Sequence, residues 1–246
     1  MDDILAVERR PDRVIARLNR PEKRNAIDRE MIDALHVLCA ELEADPRILI
    51  LTGSGDDFAA GADIAQLRAR RADDARRGIN AMAFIRIREL PMPVIAALDG
   101  YALGGGAELA YAADIRIATP RLKIGNPEPS LGIIAAAGAT WRLREIVGEG
   151  LANEMLLTGR ILSADEALSA GLISAVREPA DLMPAAHAIV DRIAAADPLA
   201  IRHTKTALRA PRDAHPAIDG ELQAELFESA EKMRRMTDFL ERKGRP

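Results

Sequence analysis

The stretch PVIAALDGYALGGGAELAYAADIRIATPRLKIGNPE, residues 93–128, decides the fold. It opens with a short apolar run, Val94 to Leu98, bounded by Pro93 in front and Asp99-Gly100 behind. A short apolar run closed by turn residues reads as a buried strand. Gly104, Gly105 and Gly106 follow, and then Ala107 to Ala113, a helix-forming run dominated by Ala and Leu. Glycines ahead of a helix let the backbone approach a ligand closely and aim unpaired N–H groups at it. The positive end of the helix dipole points the same way, so an anion, or an oxygen that becomes one, is stabilised there.

Two carboxylates accompany this turn. Glu108 is the sole charged residue between Asp99 and Asp114, and Glu128 stands between Pro127 and Pro129 after a strand candidate at Leu122 to Gly125. A carboxylate in apolar surroundings is costly unless paired, and its pKa rises. Two of them beside an oxyanion-type donor point to acid/base work on a substrate whose carbonyl that donor polarises. A plainer structural role is open to both: Glu108 capping a neighbouring backbone segment, and Glu128 lying in a solvated turn.

Composition narrows the classes. The chain has 246 residues, 48% hydrophobic and 29% charged, which is an ordinary globular composition able to bury a sizeable core. Its net charge is -4, and no basic run interleaves with aromatics, so nucleic-acid binding is not expected. The one arginine cluster, Arg68 to Arg77, is interrupted by Asp73 and Asp74 and reads as a solvated helix face. The single cysteine, Cys39, sits in an apolar helical pattern and is expected in the core. His36, His187, His203 and His215 lack metal-ligand spacing, so no metal site is expected. The opening MDDILAVERR lacks a signal-peptide pattern and no apolar run approaches the length of a membrane span, so the expected location is the cytoplasm, away from membranes.

Along the chain, Ile4 to Val7 and Val14 to Leu18 predict paired strands around Pro11-Asp12. Asp28 is a helix N-cap candidate, followed by Met31, Ile32, Leu35, Leu38 and Leu42 at helical spacing, with a stop before Pro46. Ile48 to Leu51 is a strand, and the small-residue patch Phe58 to Ile64 offers a second close backbone approach. Arg70 to Leu90 predicts one helix, and Ile115 to Ala118 a strand. Helices are expected at Ala139 to Val147, Leu151 to Leu157, after the capping box of Ser163 and Glu166, and at Asp181 to Ala196, Pro198 to Leu208 and Pro216 to Lys243. Strand, small-residue turn and helix recur, which predicts an α/β core of ββα or βαβ repeats whose period is not fixed by spacing. The domains expected are a core over 1–190 and a helical region over 191–246.

The runs NRPEKRNAID (19–28), LTGSGDDFAAGADI (51–64), PVIAALDGYALGGGAELAYAADIRIA (93–118), NPEPSLGI (126–133) and LLTGRILSADEALSAGLISAV (156–176) resemble the crotonase, or enoyl-CoA hydratase/isomerase, superfamily. The resemblance covers nearly the whole chain in order. It implies an α/β spiral of ββα repeats followed by helices that build a trimer or a hexamer of paired trimers. It implies an acyl-CoA thioester as substrate, with coenzyme A as part of that substrate and no separate cofactor. By motif position, the oxyanion hole falls on the N–H groups of Ala62 and Gly105, and the catalytic pair on Glu108 and Glu128. Both acids being present resembles the members that hydrate 2-enoyl thioesters rather than double-bond isomerases or non-catalytic binding subunits. Substrate and CoA contacts are carried over to Arg24, Ala60, Asp63, Ile64, Gly104, Trp141, Phe239 and Arg242. One departure stands out: AAAGATW at 135–141 replaces a glycine-rich run, with Ala136 and Ala139 for glycines and Trp141 for a glutamine, which is expected to reshape the acyl site.

Overall fold

The computed structural model describes residues 3–243. The first strands, β1 (Leu5–Arg9) and β2 (Arg13–Leu18), form the antiparallel hairpin, with Leu5 opposite Leu18. Helix α1 (Arg29–Ala44) starts where Asp28 accepts a hydrogen bond from the Met31 N–H at 2.9 Å. It buries Met31, Ile32, Leu35, Leu38, Cys39 and Leu42, the residues at helical spacing, and leaves Val37 on its solvent side. Strand β3 (Ile48–Gly53) is followed by α2 (Ile64–Ala69), α3 (Ala72–Arg77) and α4 (Ile79–Glu89). Next come β4 (Val94–Leu98), β5 (Tyr101–Leu103), α5 (Gly105–Ala112), β6 (Ile115–Ala118) and β7 (Lys123–Gly125). Then follow α6 (Ala139–Val147), α7 (Glu149–Thr158), β8 (Ile161–Ser163), α8 (Ala164–Ser169), β9 (Ala175–Val176), α9 (Pro179–Ala194), α10 (Pro198–Arg209), α11 (Ala217–Phe227) and α12 (Ala230–Lys243).

The strands make two sheets, one in the order β1-β2-β3-β4-β6-β9 and a smaller one in the order β5-β7-β8. From β2 onward the larger sheet is parallel, and its central strand β4 is buried at every position, as a strand covered on both faces requires. The repeat is visible in the connectivity. β4 enters the large sheet, β5 the small one, α5 returns, and β6 and β7 then lie parallel beside β4 and β5. One turn earlier, β3 takes the large-sheet place while a single bridge from Ala59 to Ala102 takes the small-sheet place. This is a spiral of ββα turns whose second strand shrinks to as little as one residue.

Two expected helices are broken. The segment from Arg70 to Leu90 is interrupted twice. Arg70 and Arg71 are extended, the Asp74 side chain accepts from the Arg71 N–H at 2.9 Å to start α3, and Gly78 turns left-handed at φ 61° to start α4. A left-handed glycine is a standard helix stop, and it overrides the helical composition around it. The segment from Pro216 to Lys243 divides into α11 and α12 because the Ser229 hydroxyl accepts from the Lys232 N–H at 3.1 Å, which caps a new helix.

The chain divides into two compact units, one ending at Ala188 and the other beginning at Ile189. In the second unit, α10 is capped by Asp197 and joined to α11 by a 2.8 Å contact between His203 Nε2 and Glu225. Phe227, Met233, Met236, Phe239 and Leu240 are exposed on this unit.

Gly106 is a tight junction at the site. A Cβ placed there would collide with the backbone carbonyl of Ala59 and lie 2.8 Å from the Ala59 Cβ. Gly106→Ala therefore costs stability by overpacking, about 1–3 kcal/mol. The expected result is a lower midpoint of chemical denaturation, while Gly150→Ala, in helix α7 where an added Cβ meets nothing within 4 Å, does not lower it.

Candidate functional site

A cavity of about 850 Å³ opens in the first unit. Its walls come from Ala60 to Ala62 and Ile64, from Gly104, Gly105 and Glu108, and from Glu128 with Ser130 to Ile134, Ala136 and Ala137. The chain reaches it from β4 through the Asp99-Gly100 turn and β5, and then bends at Gly104. Its φ of 52° and ψ of -124° lie in a region that side chains avoid. Gly104 also lies against an acid, because a Cβ there would sit 3.0 Å from Glu128 Oε1.

Two backbone N–H groups converge at the cavity wall. Gly105 is the first residue of α5, so its N–H has no partner within the helix and lies at the positive end of the dipole. Ala62 pairs with Ile27 in a parallel bridge made by the Ile27 N–H to Gly61 O at 2.8 Å and the Asp63 N–H to Ile27 O at 2.9 Å. Neither bond uses the N–H of Ala62, which lies on the Gly105 side, 3.7 Å from where a Gly105 Cβ would be. The other end of α5 is held by Arg116, which is buried and donates to the carbonyls of Ala113 at 2.6 Å and Leu172 at 2.7 Å. A cation on the final carbonyls complements the helix dipole and fixes the direction in which the first turn points.

Both glutamates reach the cavity. Glu108 is 4% exposed, and its Oε1 accepts from the N–H groups of Ala137 at 2.7 Å and Ala139 at 3.1 Å. Burial pushes its carboxyl up to about 7; the Ala139 N–H draws it back, and the charge of Glu128 raises it further. Glu128 is 8% exposed, and its Oε2 is a buried oxygen without a hydrogen-bond partner. Burial raises its pKa too, against its own backbone N–H and the Asn126 side chain. The solvated-turn reading of Glu128 is thereby overturned. The capping reading of Glu108 holds for one oxygen only, and the residue still lines the cavity. Two acids that repel each other's charge in one pocket can divide into a proton donor and a proton acceptor.

The remaining residues singled out in the sequence are dispersed. Ala60 and Ile64 line the cavity. Asp63 instead caps α2 through the N–H groups of Ala65 and Gln66, and it faces Arg20 at 3.6 Å. Arg24 lies over the Tyr101 ring at 5.3 Å, largely exposed, and its carbonyl accepts from the Ala60 N–H at 2.9 Å. Trp141 lines a separate, water-sized pocket behind Glu108, with Arg88 over its ring at 5.2 Å. Phe239 and Arg242 lie exposed on α12 of the second unit. The AAAGATW segment does reach the cavity, through Ala136 and Ala137, but its chief contribution is the pair of backbone donors that hold Glu108. Sequence reasoning missed those donors because a backbone N–H leaves no mark in residue type. Arg70 and Asn80 were missed as well, although both line the cavity. Asn80 carried a faint signal, an amide between Ile79 and Ala81 at helical spacing from the apolar Ala83, Phe84 and Ile87, with which it is buried. Among the described residues, no group of three His, Cys, Asp or Glu is placed to hold a metal ion, and no helix is long and apolar enough to cross a membrane.

Known proteins share this architecture. The enoyl-CoA hydratase/isomerase family model matches residues 13–245. The short-chain-enoyl-CoA hydratase of Clostridium acetobutylicum is 37% identical over 238 residues, covering 93% of this chain and 91% of that protein. The crotonyl-CoA hydratase of Syntrophomonas wolfei is 36% identical over 248 residues, covering 97% and 95%. The crystal structure of an enoyl-CoA hydratase from Bacillus anthracis superposes with a TM-score of 0.91 at 31% identity, covering 97% and 96% of the two chains. With the spiral of ββα turns and two buried acids beside the start of α5, these matches show that the chain belongs to the enoyl-CoA hydratase/isomerase family.

Proposed function

We propose that the protein is a 2-enoyl-CoA hydratase, which adds water reversibly across the double bond to give a 3-hydroxyacyl-CoA, a step of fatty-acid β-oxidation chemistry. The observation that carries this reading is the meeting of two buried carboxylates with two backbone N–H groups in one cavity. The thioester oxygen lies between the N–H groups of Ala62 and Gly105. As water adds, negative charge moves onto that oxygen to give an enolate, and each preorganised donor contributes about 3 kcal/mol. The glutamates hold the water over the β-carbon. A carboxylate removes one proton from it, the hydroxyl bonds to the β-carbon, and a carboxylic acid returns a proton to the α-carbon, so the pair is restored. Isomerisation requires proton transfer by only one acid, whereas the unpartnered Glu128 Oε2 beside Glu108 supplies a second acid for water.

The CoA portion falls to Ala60, Ile64 and Gly104 at the cavity and to Arg24, whose carbonyl accepts from the Ala60 N–H and whose guanidinium over Tyr101 offers charge and a flat surface to a nucleotide. In this reading Asp63 acts by holding the start of α2, and Trp141 by packing behind Glu108. Coenzyme A enters as part of the substrate, and the reaction calls for no redox cofactor. The exposed apolar residues of α11 and α12 support a homotrimer or a hexamer of paired trimers, in which Phe239 and Arg242 serve a neighbouring copy's CoA. The reading places the enzyme in the cytoplasm.

Mixing the protein with crotonyl-CoA is expected to bleach the conjugated thioester absorbance and yield 3-hydroxybutyryl-CoA by chromatography. Failure to hydrate crotonyl-CoA or any other 2-enoyl-CoA thioester after prolonged incubation would sink the proposal. Glu108→Gln and Glu128→Gln should each lower kcat by about 10²–10⁴-fold with acyl-CoA affinity largely retained. An unchanged kcat in either variant would remove that residue from the acid/base pair.

The pH dependence follows from the raised carboxyl. Hydration requires the pair to hold one proton: below both ionisations no base remains, and above that of Glu108, at about 7, no acid remains. The kcat/KM profile is therefore bell-shaped with its alkaline limb near pH 7, and Glu108→Gln abolishes that limb. A profile flat from pH 5 to 9 would contradict the shared proton.

A further inference from the structure

The arginine run after α2 does not lie wholly in solvent. Arg70 and Asn80 are both part of the cavity wall, on the side of Gly105. Arg70 Nη2 donates to Asn80 Oδ1 at 3.0 Å, and Arg70 forms no ion pair with a described carboxylate. Asp74, which also lines the cavity, accepts the Arg71 N–H through Oδ2 at 2.9 Å and makes no ion pair with Arg70. Burial depresses the Arg70 guanidinium below its ordinary pKa, with Asp74 offsetting this in part. A partly desolvated guanidinium without a carboxylate is a cost that an incoming anion would relieve.

Asn80 adds direction. An arginine can only donate, so the contact with Arg70 fixes the amide oxygen toward Arg70 and the amide nitrogen away from it. That nitrogen lies 3.6 Å from where a Cβ on Gly105 would be. Three donors therefore follow one another along the cavity wall: the Gly105 N–H, the Asn80 amide and the Arg70 guanidinium. The lining also includes Leu131, Ile133, Ile134 and Ala136, which supply no acceptor side chain. A purely hydrocarbon acyl group would desolvate these donors without return.

We propose that Arg70 and Asn80 form the specificity site for a carboxylate on the acyl group, remote from the thioester, so that the preferred substrate is the CoA monothioester of an unsaturated dicarboxylic acid. Arg70 pairs with the carboxylate, and Asn80 orients the guanidinium while presenting its own N–H to the same group. This rests on the hydratase reading above and specifies its substrate.

The test compares kcat/KM for glutaconyl-CoA and crotonyl-CoA in the wild type, Arg70→Met, Arg70→Lys and Asn80→Leu. The wild type should favour glutaconyl-CoA, and Arg70→Met should lower the glutaconyl-to-crotonyl ratio by about 10- to 100-fold, the range of one charge-assisted hydrogen bond. Arg70→Lys should keep part of the preference, and Asn80→Leu should shift the ratio toward crotonyl-CoA. A wild type without preference for glutaconyl-CoA overturns the proposal and leaves hydration standing. Equal losses on both thioesters in Arg70→Met also overturn it, because the guanidinium would then serve the CoA phosphates or the fold. If the wild type hydrates neither thioester, the hydratase reading fails, and binding decides the carboxylate site separately. Tighter binding of glutaryl-CoA than butyryl-CoA, lost in Arg70→Met, supports the site; equal affinities overturn it.

Discussion

The site depends on how closely the first turn of α5 presses against the segment from Ala59 to Ala62. Gly106 leaves room for nothing larger than hydrogen against the Ala59 carbonyl, and that carbonyl also accepts from the Leu103 N–H at 3.0 Å. The Ala59 N–H returns to Tyr101 at 2.9 Å, so the strand before the helix and the segment before Ala62 are pinned together. That pinning carries the N–H of Ala62 to the N–H of Gly105, and Arg116 holds the far end of the same helix. Donors fixed by backbone packing need no reorganisation when charge develops before them, which is where electrostatic catalysis gains most.

The carboxylates sit at the same junction for a related reason. Burial at 4% exposure takes Glu108 out of water, and lifting its pKa from 4.5 to about 7 corresponds to roughly 3 kcal/mol in favour of the neutral acid. The N–H groups of Ala137 and Ala139 work the other way by accommodating the ionised form. The result is a group poised between its two states near neutral pH, which is what proton transfer in both directions requires. The cost is borne by the surrounding core, in which Leu109, Ala110 and Tyr111 are fully buried around the same helix.

Much of this was legible in the sequence, for reasons that differ by element. Val94 to Leu98, the glycine run and Glu108 are contiguous, so their order alone placed a strand, a close approach and an acid at a helix N-terminus. Asp28 and Ser163 are side-chain caps and were readable as such. The small sheet was hidden because β5 and β8 are short and the turn before β5 contributes only a single bridge at Ala59, too little for any periodicity. Arg70 looked solvated because Asp73 and Asp74 interrupt the arginine run in the manner of a charged helix face, and the breaks at Arg70-Arg71 and Gly78 are what the residue types did not show. Trp141 looked like an acyl-site residue because it stands in a segment that does line the cavity, but its helical phase sends it behind Glu108 instead.

The central claim is that the Ala62 and Gly105 N–H groups polarise the substrate carbonyl. The most direct measurement is the infrared stretch of butyryl-CoA labelled with ¹³C at the thioester carbonyl, free in water and bound to the protein. Two preorganised donors at a helix N-terminus predict a band at lower frequency when bound, and a smaller displacement in Gly106→Ala. A bound band at or above the frequency in water would contradict the account.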